Sequence, residues 1–182
     1  MAVRRTLTFV VCAAILSACS GKSDTVKLGG TAVTQPTELP KSPKLQGTTL
    51  PDLAFIDFKG NPVRLAELKG VPTVINVWSE TCEPCKAEMP AFELIHRAVT
   101  PRIRFVGIDS QDSFNNAKQF AEKTGVTYDL WRDPTGEFLT KLKLVALPTT
   151  LITDANGTVV WMKTGSLSGE QLQAKLTELV PA

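Results

Sequence analysis

The stretch Asn76–Pro90, NVWSETCEPCKAEMP, decides how the rest of the chain is read. Cys82 and Cys85 stand in it with Glu83 and Pro84 between them. The run that leads in, VPTVINVW, is continuous and β-branched, as in a central strand buried on both faces. The run that follows, KAEMPAFELIHRAV, returns an apolar residue at Phe92, Ile95 and Val99, the spacing of one helix face. Cys82 therefore falls where a strand ends and a helix begins. A helix N-terminus offers unpaired N–H groups and partial positive charge. Both favour thiolate over thiol, and such positions lower a cysteine pKa to roughly 3.5–7.5. Pro84 suits a first helical turn because it has no N–H to lose. Cys85, one turn on, is placed to close a short disulfide, with Cys82 attacking and Cys85 resolving. Rival readings of the pair are weak. A zinc site needs about four ligands, and beyond the pair the segment offers only His96. Haem attachment needs a histidine after the second cysteine, where Lys86 stands. A purely structural clip this short closes almost no loop and gains little stability.

Working outward, DLAFIDF and PVRL are apolar segments joined by Lys59-Gly60-Asn61, a hairpin signal. Ile103–Asp109, IRFVGID, is a second buried strand, and Phe114, Ala117, Phe120 and Ala121 mark a second helix. TLIT and TVVWM flank Asn156-Gly157, the turn signal of another hairpin. Ser168 and Gln171 make a capping box, and Leu172, Leu176 and Leu179 form the stripe of a last helix. The order is hairpin, β-α-β-α, hairpin and helix, which predicts an α/β fold with a mixed sheet flanked by helices on both faces. Trp78 is expected beneath the cysteine pair, Trp131 and Trp161 in or near the core, and His96 on the solvated side of its helix.

The N-terminus reads as an export signal over residues 1–18. Arg4 and Arg5 precede an apolar run, Leu7–Leu16, that is too short to span a bilayer. The run ends in LSAC, and Cys19 is the expected lipidated first residue of the mature chain. Residues 19–46 are rich in Ser, Thr, Gly, Pro and Lys without periodicity and read as a tether, about 30 Å across as a random coil. Residues 47–182 form the folded domain. Removing Arg4 and Arg5 from the 20 basic residues leaves as many as the 18 acidic ones. This balance gives no electrostatic case for binding nucleic acid. With Cys12 lost and Cys19 lipidated, Cys82 and Cys85 are the only thiols left in a compartment where disulfides persist.

The segment from about residue 47 to 180 resembles the thioredoxin-like proteins, and most closely their exported TlpA/ResA/CcmG branch, with its AhpC/TSA-redoxin-like domain. Its strand–CxxC–helix unit is NVWSETCEPCKAEMP; Pro90 is similar to the family's kinking helix proline, and LPDLAFIDFKGNPVRLAELKG to the branch's N-terminal β-hairpin extension. The resemblance implies a thioredoxin fold. It also implies a cis proline at Pro148, in LPTTLIT, facing the disulfide, and an active-site acid at Glu88. Arg132 and Asp133 resemble a turn before a helix in the family. Two positions depart from the pattern. Thioredoxin carries a buried aspartate where this chain has Asn76, which cannot exchange a proton with Cys85, so Glu88 is the candidate to do so. Thr81 replaces the usual tryptophan before the first cysteine.

Glu83 places a carboxylate beside Cys82. Like-charge repulsion opposes the helix dipole and raises the thiolate pKa, which makes the dithiol a better reductant. As a solvated, screened charge Glu83 is worth only a few tenths of a kcal/mol. The resulting expectation is a membrane-tethered, monomeric thiol–disulfide oxidoreductase without cofactor or metal. Catalysis is placed on Cys82, Cys85, Pro148, Glu88 and Glu83. Family resemblance implies protein disulfides as substrates, apocytochrome c among them, and a membrane thiol as electron donor. Three other readings stay open: a disulfide-forming oxidase, a non-enzymatic binding lipoprotein, and a thiol peroxidase. For the peroxidase, Ser79 fits the peroxidatic loop but Ile75 stands where it needs proline.

Overall fold

The computed structural model describes residues 41–180. The expected signal peptide, Cys19 and most of the tether lie outside the described residues. Seven strands form one mixed sheet. They are β1 (Ala54–Asp57), β2 (Pro62–Arg64), β3 (Thr73–Trp78), β4 (Arg104–Ser110), β5 (Asp129–Asp133), β6 (Thr149–Thr153) and β7 (Val159–Thr164). Their spatial order is β2-β1-β5-β4-β3-β6-β7. The central strands β3, β4 and β5 run parallel, and β6 pairs antiparallel to β3. Helices α1 (Glu83–Val99), α2 (Phe114–Thr124), α3 (Glu137–Leu142) and α4 (Gly169–Leu179) cover it.

Strand alternation sorts the core into two layers. Val74 and Trp78 of β3 join Phe92 of α1, Phe120 of α2 and Leu172 of α4 on one face. Ile75 and Val77 join Phe55, Phe138 and Leu142 on the other. All six residues of β3 are buried, as its uninterrupted apolar run requires. Both hairpins form as expected. The capping box of Ser168 and Gln171 opens α4.

Three features depart from expectation. Arg132 and Asp133, read as a turn before a helix, close the strand β5 (Asp129–Asp133), which is inserted between β4 and the N-terminal hairpin. Its charged residues concealed it, yet they are partnered: Arg104 Nη2 lies 2.8 Å from Asp129, and Arg132 Nε 3.7 Å from Asp109. The Asp133 carboxylate then accepts from the N–H groups of Glu137 and Phe138, capping α3. Residues Ser42–Gln46, read as the end of the tether, lie against the domain. Leu45 is buried, and Ser42 Oγ accepts from the Thr164 hydroxyl at 3.0 Å. His96 is half-buried rather than solvated, its ring against Phe105 and Tyr128 and its Nδ1 3.0 Å from the Thr100 hydroxyl.

Candidate active site

Cys82 is the N-cap of α1, with extended backbone, and Pro84 sits in the first turn. The Cys82 sulfur accepts from the Cys85 N–H at 3.2 Å, so an otherwise orphaned helix donor points at it. The two residues form a disulfide with Cα atoms 5.3 Å apart. Cys85 is fully buried, whereas Cys82 is half-exposed. That asymmetry suits a sulfur that meets partners and one that resolves. Once reduced, Cys82 is expected to take iodoacetamide at neutral pH well before Cys85. Peptide mapping checks this, and preferential labelling of Cys85 would reverse the roles.

Below the pair, β3 and α1 bring Asn76 and Glu88 together. Glu88 is 5% exposed. Its carboxylate accepts from Asn76 Nδ2 and from the Leu167 backbone N–H, each at 2.9 Å. Burial outweighs these donors and nearby Lys163, and pushes the Glu88 pKa up to about 7. Sequence spacing placed Glu88 one turn beyond Cys85. The contribution of Leu167 and Lys163 carried no local signal, because the strand β7 and the loop after it bring them in from far along the chain. Trp78 is fully buried and stacks on Phe120, with ring centroids 5.0 Å apart.

The Leu147–Pro148 peptide is cis. Pro148 is buried and immediately precedes β6. Thr149 is in register with Val77, so antiparallel pairing sets Pro148 beside Trp78, at the end of β3 that leads to Cys82. Its carbonyl accepts from the Gly165 N–H at 2.8 Å. Glu83 is exposed in the first turn of α1, on a polar groove shared with Glu80, Lys86 and Asn116. Of the expected site residues, Cys82, Cys85 and Pro148 gather at one end of the sheet with Glu88 beneath, and Glu83 stands at the rim. Ile75 lies inside β3 and not in a loop, which leaves no peroxidatic turn at that position. Sequence reading put Asp109 in a buried strand but gave it no role; its carboxyl is fully buried near the end of β4.

Residues 46–162 match the AhpC/TSA family. The chain is 28% identical over 136 residues to the thiol-disulfide oxidoreductase ResA of Geobacillus kaustophilus, covering 74% of this chain and 78% of that protein. It is 31% identical over 115 residues to the thiol:disulfide interchange protein DsbE of Xylella fastidiosa, covering 63% of this chain and 57% of that one. Among solved structures, a putative thiol:disulfide interchange protein DsbE from Chlorobium tepidum superposes with a TM-score of 0.67 at 20% identity, over 74% of this chain and 95% of that one. A secreted Mycobacterium tuberculosis disulfide oxidoreductase superposes with a TM-score of 0.64 at 23% identity, over 70% of this chain and 96% of that one. At such identities the structures speak for the fold, which is that of thioredoxin. The chain belongs to the AhpC/TSA family.

Proposed function

We propose that this protein is a reductant of protein disulfides, held outside the cytoplasmic membrane by a lipid on Cys19. The chemistry is that of a thioredoxin-like thiol–disulfide oxidoreductase of the ResA/DsbE type. The observation that carries the reading is a half-exposed Cys82 at a helix N-cap, bonded to a buried Cys85, with an acid of pKa about 7 beneath. In the reduced protein the Cys82 thiolate attacks a substrate disulfide. One substrate sulfur leaves as a thiolate and a mixed disulfide forms. Cys85 then gives its proton to the Glu88 carboxylate and attacks the Cys82 sulfur. The second substrate thiolate leaves, and the Cys82–Cys85 disulfide carries away the oxidising equivalents. A group half-protonated near neutrality is well matched to that transfer. A membrane dithiol must return two electrons for the next turnover. Apocytochrome c, whose CxxC must be reduced before haem attachment, is the substrate class this reading favours.

Insulin reduction with dithiothreitol as electron source tests the activity: turnover is expected in the wild type, and its absence would leave a binding module. Cys19→Ser tests the anchor and is expected to release the protein from membranes. A single acyl chain binds only marginally, so firm attachment needs the several chains of a lipoprotein. A Cys19→Ser protein that stays on membranes after a salt wash places the anchor elsewhere.

A further inference from the structure

The turn before Cys82 is held from the side by a group of charges outside the disulfide site. Asp112, in the loop between β4 and α2, accepts a short hydrogen bond from the Glu80 backbone N–H through its carboxylate. Glu80 Oε1 in turn accepts from Asn116 Nδ2 of α2 at 2.9 Å. The loop is built for this. Gln111 takes a positive φ of 67°, uncommon for a residue other than glycine, and its N–H is tied to the Asp133 carbonyl at 3.0 Å. Arg132 Nη2 donates to the Asp112 carbonyl at 3.2 Å. Asp109 lies behind Asp112, in register with Trp78 on one side and Arg132 on the other. It is wholly buried, and as an acceptor neither carboxyl oxygen has a hydrogen-bond partner. An ionised carboxylate so placed, with only Arg132 at 3.7 Å, is costly.

From this geometry we propose that a protonated Asp109 and the Asp112 carboxylate together act as positioning residues for the turn Ser79–Thr81, and so for the Cys82 sulfur. The role in disulfide exchange rests on the function proposed above; the latch itself does not. The groups facing Asp109 are Asp112 from the loop and Arg132 and Asp133 from β5, while Glu80 meets the pair through its backbone. Burial first, then the Asp112 carboxyl, push Asp109 up to about 8, against the pull of Arg132. Below that pH Asp109 keeps its proton and Asp112 stays on the Glu80 N–H. Above it the proton goes to solvent, two carboxylates repel in a dry setting, and Asp112 is driven off the turn.

The oxidised protein separates this from thiol chemistry, because neither cysteine titrates there. The expected result is a Glu80 amide resonance that moves with a midpoint near pH 8 in the wild type and in Glu88→Gln. The inflection should be lost in Asp109→Asn, which keeps the shape and cannot ionise. In the reduced protein, Asp112→Ala should slow Cys82 alkylation at neutral pH by roughly fivefold, the size of one lost hydrogen bond. Asp112→Asn, whose amide oxygen still accepts from Glu80, should restore most of the rate. A Glu80 amide with no inflection, or one that survives Asp109→Asn, overturns the role of the Asp109 proton. An Asp112→Ala rate equal to wild type overturns the positioning role. Neither readout uses a disulfide substrate, so a protein that shows both results yet fails to reduce insulin keeps the latch and loses the proposed function.

Discussion

Cys82→Ser is expected to abolish disulfide exchange, with a loss on the order of 10³-fold or more. A serine hydroxyl is not ionised at neutral pH and cannot form the mixed disulfide. The fold should survive, because serine is also a good N-cap and Cys82 only packs, partly buried, against the edge of one core layer. Cys85→Ala should behave differently. Its Cys82 still attacks, but nothing resolves the product, so substrates remain attached as mixed disulfides. Membrane fractions treated with this variant should yield covalent adducts that dithiothreitol releases, and mass spectrometry of the released proteins names the substrates. Exchange that persists in Cys82→Ser, measured by insulin reduction, would place the chemistry on another group.

Glu88→Gln should change how stability and rate depend on pH while leaving the fold intact. The native pKa of about 7 lies above the ordinary value of 4.5. Stability from protonated Glu88 is therefore fully present below about 4.5 and is lost as pH rises through about 7. The window corresponds to up to about 3 kcal/mol. Relative to wild type, the variant should gain stability across that window and run parallel to it on either side. Gln fits the site if the Asn76 amide turns over. The glutamine oxygen then accepts from the Leu167 N–H, and its NH₂ donates to Asn76 Oδ1, which has no partner in the wild type. Denaturant melts of the two oxidised proteins between acid and neutral pH measure the gain. The exchange rate should also lose its inflection near neutrality. A constant stability difference across the window would mean that Glu88 titrates as an ordinary surface acid.

The strand, the cysteine pair and the helix after it were legible because each rests on a local pattern: a β-branched run, a short cysteine spacing, and the spacing of Phe92, Ile95 and Val99. The capping box of α4 and the two hairpin turns were legible for the same reason. Strand β5 was not, because Asp129, Arg132 and Asp133 interrupt its apolar character. They are tolerated where Arg104 and the capping of α3 satisfy two of them and Arg132 lies beside Asp109. The position of Glu88 followed from helix spacing, but its burial depends on Leu167, far along the chain. A role for Asp109 was invisible for the converse reason. Nothing near it in sequence says that Trp78 and Arg132 will close over it.

The proposed direction of electron flow rests on the family resemblance and on the proposal that the Glu83 charge beside Cys82 disfavours the thiolate and so favours giving electrons away. Equilibrium titration of the Cys82–Cys85 couple against glutathione and dithiothreitol tests it most directly. A reductant should show a potential near or below about −270 mV, the value of thioredoxin, and Glu83→Gln should move it to a more oxidising value, with about 30 mV corresponding to 1.4 kcal/mol. A wild-type potential near about −120 mV, that of a strong disulfide-forming oxidant, would contradict the proposal and leave a protein that makes disulfides.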